Sequence, residues 1–246
     1  MKYNSLPEIK DGSFFIADSH YINGDEALLV LLEKLIISPP PQVFFMGDIF
    51  HLFIGHIPSS RKENIVLLEL INKLAHKCEV FYFEGNHDFG IDGFLLPKVK
   101  IYPRSLQPAF FCYKQKHFLL AHGDIFLSNT YNGYIQILTS PFCLSILKIL
   151  DQLSLGFIYR IISKKIYKKP IRKFILSDKD FEKFAKNRLE KYSKFVKKYH
   201  LEPIEGVIEG HFHIGKNFQN YFSLPSFYCE KSGFIIQSGK CSGIES

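Results

Sequence analysis

QVFFMGDIFHLFIG, residues 42–55, decides how this chain is read. An apolar, strand-like run stops at Gly47-Asp48, so a carboxylate stands where a strand gives way to a loop. Four other places repeat the arrangement. SFFIA precedes Asp18-Ser19-His20, VFYFE precedes Gly85-Asn86-His87-Asp88, HFLLA precedes His122-Gly123-Asp124, and GVIE precedes Gly210-His211-Phe212-His213. Loops at the ends of neighbouring strands bring distant residues together on rigid supports, which is what a shared site requires.

Between the clusters the first half alternates strands with helical stretches. A strand at 13–17 leads to a helix near 25–37, stopped by Pro39-Pro40-Pro41 before the strand at 42–46. A helix near 61–76 leads to the strand at 78–83. Two βαβ units in succession imply a parallel sheet with helical crossovers. Strands then follow closely at 99–102, 108–113 and 116–121, the last two joined as a hairpin by Lys114-Gln115, with more at 206–209, 219–222 and 233–238. Residues 142–162 place Ile146, Ile149, Leu150, Leu153, Phe157 and Ile161 at helical spacing, interrupted by Lys148, Asp151, Gln152 and Arg160. That is too polar for a membrane span and predicts an amphipathic or half-buried helix. A last helix over about 178–199 opens with Ser177 as N-cap and Asp180 at the capping-box position.

Asp18, His20, Asp48, Asn86, His122, His211 and His213 form an oxygen and imidazole set suited to hard divalent cations rather than to thiolate-bound metals. The set suffices for two metals if one carboxylate bridges them, and Asp48 is the natural bridge. Such a pair clamps a phosphoryl group and activates water for in-line attack. His87, at the rim beside Asn86, is placed to donate a proton to a leaving oxygen or to neutralise charge.

These residues resemble the calcineurin-like metallophosphoesterase family, whose pattern runs D-x-H, G-D, G-N-H-D/E, H-G-D or a similar G-H, and G-H-x-H. The likeness covers residues 13–125 and 205–240. It implies an α/β fold of two mixed β-sheets in a sandwich flanked by helices, here with a helical lid insertion. By resemblance, Asp18, His20, Asp48 and His213 hold the first metal, and Asp48, Asn86, His122 and His211 the second. Mn²⁺ is the expected ion, with Mg²⁺ or another divalent cation as alternatives. His87 matches the family's catalytic histidine, with Asp88 orienting it or its loop.

A narrower likeness rests on GDIFHLFIG, GNHDFGI, HGD and the helical insertion before GHFH. These look like the UDP-2,3-diacylglucosamine pyrophosphatases of lipid A biosynthesis. That resemblance implies a peripheral membrane hydrolase yielding UMP and 2,3-diacylglucosamine 1-phosphate (lipid X). The best-known group has Arg where this chain has His87, and Thr-Asp-Asp where it reads Ser128-Asn129-Thr130. The resemblance is therefore to a separate lineage of the activity, of epsilonproteobacterial type, in keeping with a composition rich in Lys, Ile and Phe.

The charge distribution bears on partners. The net charge is +7 over 246 residues, and from Tyr134 to His200 there are 16 Lys/Arg against 5 Asp/Glu, a local +11 that leaves −4 elsewhere. This divides the chain into a core of 1–129 and 201–246 and a helical, basic, membrane- or lipid-binding insertion of 130–200. An anionic membrane surface and a lipid-linked sugar nucleotide are the expected partners. Alternatively, Ile146, Ile149 and Leu153 simply pack on the domain beneath a solvated lysine face.

His51 and His56 either face the phosphates or lie on an ordinary surface loop. Arg104 contacts a phosphate or is simply exposed. Lys164, Lys165, Lys168 and Lys169 meet lipid sooner than a specific substrate atom. A nuclease or nucleotide phosphodiesterase is the alternative enzyme, but the apolar density of 142–162 disfavours nucleic acid. A non-catalytic scaffold on the same fold is the alternative of another class. The sequence implies no obligate protein partner. The polar N-terminus and the five cysteines without a CxxC pair point to the cytosol, on the cytoplasmic face of the inner membrane.

Overall fold

Strand β1 (Ser13–Ile16) is followed by α1 (Glu26–Ile37), β2 (Gln42–Phe45), a two-residue β3 (Phe53–Ile54), α2 (Pro58–Glu63), α3 (Ile65–Ala75) and β4 (Glu79–Phe83). Next come β5 (Asp88–Phe89), β6 (Val99–Tyr102), β7 (Ala109–Tyr113) and β8 (Lys116–Ala121). Four helices then run in sequence, α4 (Asn129–Leu138), α5 (Pro141–Leu153), α6 (Phe157–Tyr167) and α7 (Asp178–Lys198). The chain continues through β9 (Gly206–Glu209), β10 (Lys216–Phe218), β11 (Tyr221–Ser223), α8 (Phe227–Glu230), β12 (Ser232–Gln237) and β13 (Lys240–Glu245). This computed structural model describes residues 6–237 and the backbone of 240–245.

The strands form two mixed sheets, ordered β13-β12-β1-β2-β4-β6 and β10-β11-β9-β8-β7, with β3 and β5 paired separately. β1, β2, β4 and β6 run parallel, as expected of successive βαβ units, while β12 closes on β1 antiparallel. Side chains alternate between faces. Phe15, Phe44 and Phe81 therefore share the inner face in register and stack at 4.4 and 4.5 Å between centroids. They meet Phe111, Leu120 and Ile208 of the other sheet in the sandwich core. Phe14, Ile16, Val43, Phe45, Val80 and Tyr82 point outward under α1 and α3. The result is the α/β sandwich of two mixed sheets with flanking helices.

The segment 130–200 is not uniform. α7 lays Phe181, Ala185, Tyr192 and Val196 on Leu119, Ala121, Val207 and Tyr221, covering the outer face of the second sheet. Its Ser177 cap accepts from the Asp180 N–H, as the sequence pattern predicts. α5 and α6 pack Leu144 and Tyr159 against Leu52, Ile54, Ile57 and Phe89 at the other end.

Two predicted helices prove to be pairs. The helix near 61–76 breaks at Asn64, whose side-chain amide donates to the carbonyls of Leu52 and Ser60. The run 142–162 turns at Gly156, where φ is 77° and an added Cβ would lie 2.3 Å from Ser59 Oγ. The hairpin at Lys114-Gln115 is present, both residues left-handed (φ 50° and 63°) as a two-residue turn demands.

Candidate metal centre

All five clusters converge where strands end. The turns are tight enough to force Asp18, His20, Asp48, His211 and His213 into the left-handed region, with φ between 44° and 67°. Non-glycine residues rarely adopt that conformation, and when they do it clusters at functional sites. Backbone bonds hold them there: Asp18 N–H donates to Gly47 O at 3.1 Å and His20 N–H to Asp48 O at 2.9 Å. Gly47 and Gly85 are required by closeness. A Cβ on Gly47 would sit 2.3 Å from His122 Nδ1, and one on Gly85 2.2 Å from Asp48 Oδ1.

The seven candidate ligands are brought together in two overlapping sets. His20 Nε2 faces His213 Nε2 at 3.2 Å, and His213 Nε2 lies 3.4 Å from Asp18 Oδ1. His122 Nε2 lies 3.2 Å from His211 Nδ1, 3.3 Å from Asn86 Oδ1 and 3.5 Å from Asp48 Oδ2. Among the described residues, Asp18, His20 and His213 form one group with metal-ligand spacing, Asp48, His122 and His211 another, and Asp48 also joins His20 and His87.

Tautomers support this use. His122 Nδ1 donates to Met46 O and His213 Nδ1 to Arg172 O, leaving both Nε2 lone pairs aimed inward. His20 Nδ1 is buried without a hydrogen-bond partner. Imidazole nitrogens converging to 3.2 Å beside buried carboxylates make a donor set that two divalent cations fit.

Electrostatics divide the ligand histidines. Burial pushes the His20 imidazole well below its usual value, and burial beside His122 takes His211 down to about 3. Burial alone would raise Asp48, but His122, His87 and His20 outweigh it and hold the carboxyl well below the usual range. Against burial, Asp48 holds His122 well above its usual value and Asp18 raises His213, so these two give up a proton when a cation takes its place.

His87 and Asp88 divide their roles. His87 Nδ1 donates to His51 O at 2.7 Å, which turns the other nitrogen toward the pocket. Asp88 does not line the pocket, and of the two roles expected of it, orienting His87 or its loop, its contacts are those of a loop anchor. Fully buried, its Oδ1 accepts from the N–H groups of Asp48 and Gly85, and its Oδ2 from Ile49, Phe50 and the Tyr82 hydroxyl. Burial and the adjacent Asp48 push its acid up to about 7, opposed by Tyr82 and Gly85.

A cavity of about 280 Å³ opens over the metal cluster. Its far wall is the non-helical strap between α6 and α7, Lys169-Pro170-Ile171-Arg172. His51 lines this cavity and bonds through Nε2 to Ile166 O, and of the four candidate lysines only Lys169 reaches the lining. Lys164 and Lys165 sit in the last turn of α6, with Lys168 as its C-cap. Arg172 also lines it; nothing in its sequence setting distinguishes it from its basic neighbours.

His56 is elsewhere, its Nδ1 against Gly90 O. Arg104 is also elsewhere. Its guanidinium is taken up by Asp124 at 2.7 Å and by Asn132, at the base of a separate groove between α4 and α7. Neither residue is available to a phosphoryl group at the metal cluster.

A buried cluster of two overlapping nitrogen and oxygen sets, with a histidine at its rim, defines a dinuclear hydrolytic centre. Residues 14–215 match the calcineurin-like phosphoesterase family, and the chain belongs to it. It is accordingly a metal-dependent phosphoester hydrolase. The chain is similar to a dimetal phosphatase from Danio rerio at 14% identity, covering 95% of this chain and 96% of that one, with a TM-score of 0.42. No curated protein matches it.

Proposed function

We propose that the chain hydrolyses the diphosphate of UDP-2,3-diacylglucosamine to UMP and 2,3-diacylglucosamine 1-phosphate, at the cytoplasmic face of a membrane, with Mn²⁺ as its metal. The observation that carries this reading is the surface of α4–α6. Ile137, Phe142, Leu153 and Leu155 there are 71–86% exposed, beside the half-exposed Ile149, Phe157 and Ile161. Large apolar side chains exposed along three successive helices fit a lipid or protein contact. Six basic residues in 163–174 adjoin it, and each Lys or Arg near an anionic membrane contributes about 1 kcal/mol. Among the described residues no single helix is long and apolar enough to cross a membrane; α4 and α5 reach that length and composition only as a pair bent by 51°, and with the basic residues beside them they suit lying on one.

Two cations held by Asp18, His20, Asp48 and His213, and by Asp48, Asn86, His122 and His211, would polarise the phosphoryl oxygens and activate water. The protein's own groups do the rest. Lys169 and Arg172 face the metal cluster across the cavity and offset the charge of a diphosphate. His87, oriented by His51 O, holds a ring nitrogen toward the leaving oxygen.

The test is Mn²⁺-dependent UMP release from UDP-2,3-diacylglucosamine, with bis-p-nitrophenyl phosphate and UDP-N-acetylglucosamine in parallel. Preference for the acylated substrate, abolished by Asp48→Ala, supports the reading; equal turnover of the soluble compounds refutes the lipid. One feature favours a second reading, a nucleotide or nucleic-acid phosphodiesterase: the groove between α4 and α7, about 740 Å³, has Lys191, Lys194 and Lys198 above Phe126, Phe195 and Tyr199.

A further inference from the structure

Arg188 sits on the inner face of α7, only 2% exposed, and is no neighbour in sequence of any candidate ligand. Its guanidinium nevertheless grips two of the four loops that carry the second metal set, those of His122 and His211. Nε and Nη2 donate to the two oxygens of Glu209, each at 2.7 Å. Nη1 donates to Ile125 O and Nη2 also to Gly123 O, both at 3.0 Å. Gly123 directly follows His122, and Glu209 stands two residues before His211. The Phe212 ring, next to His211, packs 5.0 Å from the guanidinium carbon. Hydroxyls of Tyr192 and Tyr221 complete the Glu209 carboxylate, and Gly210 N–H donates to His122 O at 2.7 Å, joining the two loops.

A buried ion pair is a weak source of stability, because desolvation offsets its attraction and an apolar pair of similar volume often serves as well. An apolar pair cannot, however, present a rigid plane of N–H donors to two carbonyls and a carboxylate at once. The arrangement therefore buys placement. We propose that Arg188, through Glu209, is a positioning residue for the metal held by Asp48, Asn86, His122 and His211. It sets the separation of His122 from His211. The Asp18, His20 and His213 set has supports of its own in Gly47 O, Asp48 O and Arg172 O, and shares with the second set the His211 N–H that donates to the Asp18 carboxylate. This rests on the metal assignment above.

The experiment titrates Mn²⁺ calorimetrically into metal-free wild-type protein, Arg188→Lys and Arg188→Met/Glu209→Met, and records EPR of the spin-coupled pair. The double substitution strands no buried charge, and a melting curve establishes that it folds. The expected result is a second Mn²⁺ weakened about 10–100-fold, the usual span for partners behind a ligand, with the first weakened much less and loss of the coupled signal at two equivalents. Arg188→Lys, which keeps the charge but not the fork, falls between, and decides alone if the double variant does not fold. A folded variant that binds both ions as wild type does overturns the proposal, as does equal weakening of both. Wild-type protein that takes up fewer than two ions sinks the metal assignment instead.

Discussion

Asp88→Asn tests the anchor beneath the metal-bridging loop. The carboxylate is fully buried and accepts five hydrogen bonds, two on Oδ1 at 3.0 and 2.8 Å and three on Oδ2 at 2.6, 3.3 and 2.6 Å. Asparagine keeps one acceptor oxygen, so whichever way its amide turns, an NH₂ group meets two backbone N–H groups. A buried donor left without a partner costs about 1–3 kcal/mol, giving a loss of about 2–6 kcal/mol, with relief of repulsion from Asp48 favouring the lower half. That is a large share of the ~5–15 kcal/mol that holds most proteins folded. Urea unfolding followed by circular dichroism, with metals chelated so that binding does not mask the change, should show the midpoint fall by roughly 1–2 M. Tyr82→Phe, which removes one bond to the same carboxylate, should cost about 1.5–3 kcal/mol. An Asp88→Asn midpoint indistinguishable from wild type would refute the view that this carboxylate organises residues 48–50.

Other perturbations separate chemistry from support. His87→Ala should retain metal and lose about 10²–10⁴-fold in turnover of a phosphodiester, checked by steady-state rates alongside metal content; unchanged rates would remove His87 from the reaction. Asp48→Ala should abolish activity and lower Mn²⁺ uptake at both positions, because this carboxylate touches both sets; calorimetry that still finds two tight ions would contradict the bridging assignment. Leu153→Ser, Leu155→Ser and Phe157→Ser together should leave the melting temperature within a degree or two, since all three are exposed, yet sharply reduce sedimentation with anionic vesicles. Each such side chain buried in lipid contributes about 1.5–3 kcal/mol, so unaltered sedimentation would place any membrane contact elsewhere.

Much of the site can be read from the chain because strand ends are written locally. A run such as VFYFE followed by GNHD carries its own strand, turn and ligand, and the sheet then brings five such endings together. What escapes such reading is long-range or very short. β3 and β5 have two residues each, too few for alternation to show. The break at Asn64 depends on a carbonyl of Leu52 that only the fold supplies. Counting charges across 134–200 hides the spacing of Phe181, Ala185, Arg188, Tyr192 and Val196, one buried stripe that makes α7 a structural layer of the protein. Asp124 closes the His122-Gly123-Asp124 cluster, but its carboxylate is taken up by Arg104 and Tyr131, a pairing the sequence does not show.

The antiparallel closure of β12 on β1 has a bearing on how the protein comes into being. Ser13 pairs with Ile236, so the strand that delivers Asp18 and His20 gains its second neighbour only once a segment more than 200 residues further along has been made. Contacts so distant in sequence form late and slowly. During synthesis the edge of β1 stays open until β12 arrives. Ribosome-bound chains ending before residue 230 should therefore form their β2–β4 layer yet hold metal poorly, which makes metal capture a report that β12 has closed on β1.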